Sequence, residues 1–62
     1  MITVLVVDDH ELVRTGICRM LEDQTGVEVI GQAESGEEAI AIVRQQHPQV
    51  VLLDVNTVSY TH

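Results

Sequence analysis

Lysine is missing from this 62-residue chain altogether. Arg14, Arg19 and Arg44 are its only strong bases, set against ten aspartates and glutamates. The formal net charge of −7 repels phosphate backbones, so no nucleic acid is expected to bind this chain by itself. Its carboxylates suit cations and basic protein surfaces instead. Cysteine is scarce too: Cys18 alone closes no intrachain disulfide, and a thiolate zinc cluster is excluded. Met1-Ile2-Thr3 carries no basic leader, and the first apolar run ends at Asp8, far too short to span a membrane. The expectation from these absences is a cytoplasmic protein with no membrane partner.

What is present alternates between two periods. Ile2 to Val7 (ITVLVV) is continuously apolar, the mark of a strand buried on both faces of a parallel sheet. From Glu11 to about Asp23 the spacing becomes helical. Val13, Ile17, Met20 and Leu21 fall on one face, to be turned inward, and Glu11, Thr15, Cys18 and Glu22 on the other. Gly26 closes that element. Val27 to Ala33 (VEVIGQA) reads as a second, more exposed strand. Ser35-Gly36-Glu37-Glu38 is a capping box, in which the Ser35 hydroxyl and the Glu38 carboxylate each satisfy an orphan amide. The helix it opens carries Ala39, Ile40 and Val43 inward and stops before Pro48, with His47 at its negative end. Val50 to Leu53 is a third apolar strand, delivering Asp54.

The order β-α-β-α-β predicts an α/β fold with parallel pairing and right-handed crossovers. This is the first half of a doubly wound, flavodoxin-like (CheY-like) sheet. In the 2-1-3-4-5 order of such sheets, strands one and three are neighbours at the switch point, where ligands bind beyond the carboxyl ends of the strands. Asp8 and Asp9 leave strand one there, and Asp54 leaves strand three. Two like charges about 4 Å apart repel by roughly 4 kcal/mol at an effective dielectric of 20. Three converging carboxylates therefore need a raised pKa or a cation, and Mg2+ suits the ligand type. The simpler reading of an aspartate at a strand–helix junction is an N-cap. Only one of two adjacent residues can cap, and a third acid on the neighbouring strand shifts the balance toward a metal site.

VLVVDDHELVRTG, VEVIGQAESGEEA and PQVVLLDV closely resemble the receiver domains of bacterial two-component response regulators. Within them the likeness is to the NarL/FixJ class, of the GacA/UvrY type, and it covers residues 1–56. The resemblance implies that Asp54 is the phosphoacceptor, taking a phosphoryl group from a sensor histidine kinase or a small phosphodonor. It implies that Asp8 and Asp9 hold Mg2+, with Asp54 and the backbone carbonyl of Asn56 completing the protein's share. It also implies a parent protein that regulates transcription through a C-terminal DNA-binding helix-turn-helix domain.

The chain departs from that pattern after Asp54. Thr57, Val58 and Ser59 stand where the family has Met-Pro and a glycine, and the family's catalytic Thr/Ser and lysine have no counterpart. The expectation is a truncated receiver, with residues 57–62 out-of-frame or foreign. Strand three would then be an open apolar edge, prone to self-association, on a marginally stable monomer. Phosphorylation of Asp54 remains feasible in that picture, and signal transmission does not.

The alternative is an inert or purely protein-interacting pseudo-receiver that never takes up phosphate. Two enzyme classes fit poorly. A haloacid-dehalogenase-type phosphatase needs Asp-x-Asp, whereas Asp8 and Asp9 are adjacent. A dinucleotide-binding module needs a glycine-rich turn where DDHELVRTG offers acid. Among the remaining residues, Cys18 reads as incidental on a polar face rather than as a reactive thiol. His10 reads as a solvated first-turn residue rather than one with metal or proton-transfer duty. Arg14 and Arg19 read as exposed side chains in water, with kinase docking as their alternative role.

Overall fold

A computed structural model describes residues 1–53. The elements are β1 (Ile2–Val7), α1 (Glu11–Glu22), β2 (Val27–Ala33), α2 (Gly36–Gln46) and β3 (Val50–Leu53). All pairing is parallel, in the order β2-β1-β3. The α/β arrangement is the one expected from the alternation of strands and helices, and the strand order is that of the flavodoxin-like sheet. Asp54, Asn56 and residues 57–62 lie outside the described residues.

β1 is the central strand, and its unbroken apolarity follows from that position. Leu5 and Val6 are both 0% exposed. Successive side chains point to opposite faces of a sheet, so β1 feeds two separate cores. Leu5 and Val7 join Ala33 and Ala39, with Ile42 of α2 packed against them. Val4 and Val6 join Cys18, with Ile17, Leu21, Val27 and Val29 around them. One helix therefore lies on each face.

An irregularity in β2 aligns these two cores. Val4 pairs with Val29, but Leu5 pairs with Gly31, so Ile30 is an extra residue in the ladder. A one-residue slip exchanges the faces of every later side chain. Val27 and Val29 accordingly sit with the α1 layer, while Ala33 sits with the α2 layer. At Gly31 the missing side chain makes room for α2: a Cβ there would meet Ile42 Cγ2 at 3.3 Å and Leu5 Cδ1 at 3.5 Å.

Both helices turn differently from their sequence reading. On α1 the inward residues are Ile17, Cys18 and Leu21, and Cys18 is only 4% exposed. Met20 is 64% exposed and Val13 is exposed as well. A helix resting on two strands buries a narrow stripe, and the stripe here runs through positions 14, 17, 18 and 21. The small thiol fits where the helix meets Val4 and Val6. On α2, Ala39 and Ile42 face the sheet, three residues apart, while Ile40 and Val43 are exposed.

The helix ends are built locally. Ser35 Oγ accepts from the Glu38 N–H at 3.3 Å, and Glu38 Oε1 accepts from the Glu34 N–H at 2.7 Å. The second bond reaches one residue further back than the reciprocal pair of a capping box. His47 closes α2 in the left-handed region (φ 53°), its N–H donating to Val43 O, and Pro48 follows. Past α1, Gly26 (φ 87°) turns the chain into β2, and its carbonyl accepts the Ile2 N–H at 2.7 Å.

β3 is held mainly by its ladder with β1, from Val4↔Val50 to Val7↔Leu53. Gln49 adds a clamp just before it: its N–H donates to Thr3 O and its Oε1 accepts from the Thr3 N–H, each at 3.0 Å. Neither helix packs on β3. All four of its side chains are exposed, Leu53 to 63%.

Candidate functional site

The site begins where β1 runs out. The Asp8 N–H still donates to Ala33 O at 3.0 Å, continuing the ladder with β2 for one more rung. Asp8 is therefore delivered by the central strand with its backbone fixed, and it is only 3% exposed. A buried carboxylate is costly unless it is hydrogen-bonded. Its Oδ1 accepts the His10 N–H at 2.7 Å, the local turn by which an aspartate bonds two residues ahead.

That turn reverses the chain into α1 and makes His10 the N-cap residue. The His10 side chain makes no cap hydrogen bond. Neither aspartate occupies the N-cap position, so the capping explanation of the acidic pair does not hold. The His10 ring faces the acids instead. Its Nδ1 lies 3.3 Å from Asp8 Oδ1 and 2.8 Å from Asp9 Oδ1. Asp9 is the open member of the group, with its side chain 73% exposed. One candidate ligand atom from each of Asp8, Asp9 and His10 falls within a mutual distance of 4.8 Å.

His10 is the residue that sequence reasoning undervalued. It does face water, yet it bridges both carboxylates. The available signal was its place directly after the acidic pair, in a turn that folds position 10 back over position 8. Arg14 is a second correction. It is half-buried rather than solvated. Its Nη1 donates to the backbone carbonyl of Asp8 at 2.8 Å, and its Nε donates to Gln32 Oε1 at 3.0 Å. Arg19 is exposed, as read.

The donor set fits a small hard cation. Two carboxylates converge at a strand end, one anchored in the fold and one open to water, which is how oxygen-seeking ions are held with several waters retained. The imidazole lies within reach of the same oxygens. The two remaining candidates, Asp54 and Asn56, are beyond the described residues. What is described is that Leu53, the residue before Asp54, pairs with Val7, the residue before Asp8.

The family model of the response regulator receiver domain matches residues 4–58. This chain belongs to that receiver family. It is 66% identical over 55 residues to the response regulator GacA of Pseudomonas protegens, covering 89% of this chain and 26% of GacA. It is 54% identical over 56 residues to the response regulator UvrY of Escherichia coli K12, covering 90% and 26%. Among solved structures, a signal receiver domain of a NarL response regulator from Mycobacterium tuberculosis superposes with a TM-score of 0.80 at 38% identity. That match covers 84% of this chain and 42% of the other. The chain thus spans about a quarter of the length of the curated relatives it matches. The Asp8–Asp9–His10 corner belongs to a receiver domain, and no helix among the described residues is long and apolar enough to cross a membrane.

Proposed function

We propose that this chain carries the phosphoacceptor site of a two-component receiver, with Asp54 as the nucleophile and Asp8 and Asp9 as the acids that hold Mg2+. The supporting observation is the register of the two central strands. Val7 and Leu53 are partners, and each is followed in sequence by one of the acids the reaction requires. In the proposed step an Asp54 carboxylate oxygen attacks the phosphorus of a phosphohistidine on a sensor kinase. The new O–P bond makes an acyl phosphate, the N–P bond breaks, and the imidazole keeps that electron pair. Small phosphodonors serve in the same way. Bound Mg2+, with the Asn56 carbonyl as a further ligand, would offset charge on the phosphoryl oxygens.

Asp8 contributes a carboxylate whose position is set by β1 and by the His10 amide. Asp9 contributes one exposed to solvent, where an ion can be exchanged. On this reading the chain is an acceptor rather than an enzyme, and its setting is the cytoplasm. The full-length parent is proposed to regulate transcription through a DNA-binding helix-turn-helix domain. The GacA and UvrY relatives are response regulators of which this chain covers 26%.

The test is intact mass after incubation with Mg2+ and an acyl phosphate donor, with a full-length receiver as positive control. The expected result is a gain of one phosphoryl group that is lost on Asp54→Asn and on removal of Mg2+. An unchanged mass, with the control modified, refutes the acceptor reading and leaves the inert, protein-interacting fragment in its place.

A further inference from the structure

Arg14 links three elements at the site. It projects from the first turns of α1, donates Nη1 to the backbone carbonyl of Asp8 at the end of β1, and donates Nε to Gln32 on β2. The second contact exists because of the extra residue in β2. In the observed register Gln32 pairs with Val6, and Val6 belongs to the α1 layer. With an unbroken ladder Gln32 would pair with Val7 and point to the α2 layer, away from Arg14. The guanidinium fork is rigid and planar, so holding two acceptors at once fixes its orientation. The acceptor on the site is a main-chain oxygen, so the bond restrains the Asp8–Asp9 peptide itself.

We infer that Arg14, oriented by Gln32, is a positioning residue that holds the Asp8–Asp9–His10 corner in the geometry its carboxylates need. This rests on the acidic-pair reading above only for the metal. The restraint on the corner is a property of the chain alone. Charge and position make opposite demands here. Removing a cation beside two carboxylates should strengthen attraction for a metal ion, whereas releasing the corner should weaken it.

The experiment uses the whole chain and follows amide hydrogen exchange by NMR without metal, then chemical-shift titration with MgCl2. The reporter is the His10 amide, which donates to Asp8 Oδ1, and the Val6 amide on the central strand is the internal reference. In Arg14→Gln and in Gln32→Met the His10 amide is expected to exchange about tenfold faster, the loss of roughly one charge-assisted hydrogen bond. Val6 exchange stays constant. Arg14→Lys, which keeps the charge but loses the fork, should fall between Arg14→Gln and the parent. Mg2+ affinity should drop about tenfold in Arg14→Gln.

If Arg14→Gln fails to fold, Gln32→Met and Arg14→Lys carry the same reading. Unchanged His10 exchange in those two, or acceleration shared equally by Val6, overturns the inference. So does tighter Mg2+ binding by Arg14→Gln, which would make the arginine a charge and not a positioner. If the parent binds no Mg2+ but His10 exchange responds as stated, the metal reading fails and the positioning role stands.

Discussion

Leu5→Ala should report on both faces of the sheet at once. Leu5 is 0% exposed and belongs to the layer under α2, while Cys18 is buried in the layer under α1. Truncating a fully buried leucine removes its transfer free energy and leaves a cavity, at a cost of about 3 kcal/mol. A chain of this length has a total stability of only about 3–9 kcal/mol, so the loss is a large share of it. Labelling of the Cys18 thiol requires opening. When reclosing is faster than the reagent, the labelling rate follows the opening free energy. At 1.4 kcal/mol per factor of ten, Leu5→Ala should speed Cys18 labelling roughly a hundredfold. Leu12→Ala, a truncation at an exposed position of α1, should leave the rate within about twofold. Unchanged labelling in Leu5→Ala would refute the reasoning, because it would mean that the two layers open independently and β1 does not couple them.

Three further outcomes are expected. Ser35→Ala removes the acceptor for the Glu38 amide and should cost about 1 kcal/mol, read as a lower urea midpoint at unchanged slope. Burial pushes the Cys18 thiol up from its ordinary 9.0, Glu22 pushes it the same way, and Arg14 opposes them. The unfolded chain therefore gives up this proton first, so the stabilisation is complete below 9.0 and is lost as pH rises from there toward the raised folded value. The alkaline decline in melting temperature should accordingly be shallower in Cys18→Ala, and parallel declines would contradict it. Finally, β3 pairs only with β1 among the described residues, and its four apolar side chains are exposed. If the chain self-associates through β3, Val51→Lys places a charge there and lowers the concentration-dependent association seen in sedimentation velocity; equal association in both proteins would rule out β3 as the contact.

The strands were legible because their signal is local. ITVLVV had to be buried on both sides, and β1 is central. The alternation of strands and helices likewise implied parallel pairing, while the β2-β1-β3 order came with the flavodoxin-like sheet. That Asp8 and Asp9 lie together was legible because they are adjacent and leave a strand end together, and the structure adds His10 to them. On each helix two of the residues read as inward are exposed. Cys18 takes the place of Val13 and Met20 in the core, and Ile42 that of Ile40 and Val43. Helical spacing left open which of two neighbouring stripes turns inward, and a helix lying on two strands admits whichever residue its rotation presents.

The amino-acid sequence by itself determined the succession of elements, the capping of α2 and the position of the acids, since each depends on spacing along one stretch of chain. Only tertiary structure decided that Ile30 interrupts the β2 ladder, that Gln32 thereby changes face, and that Arg14 reaches across to meet both it and Asp8. Those contacts join residues 6 and 18 positions apart. Their existence depends on register between strands, where a shift of one residue exchanges inside for outside and no local pattern records which was chosen.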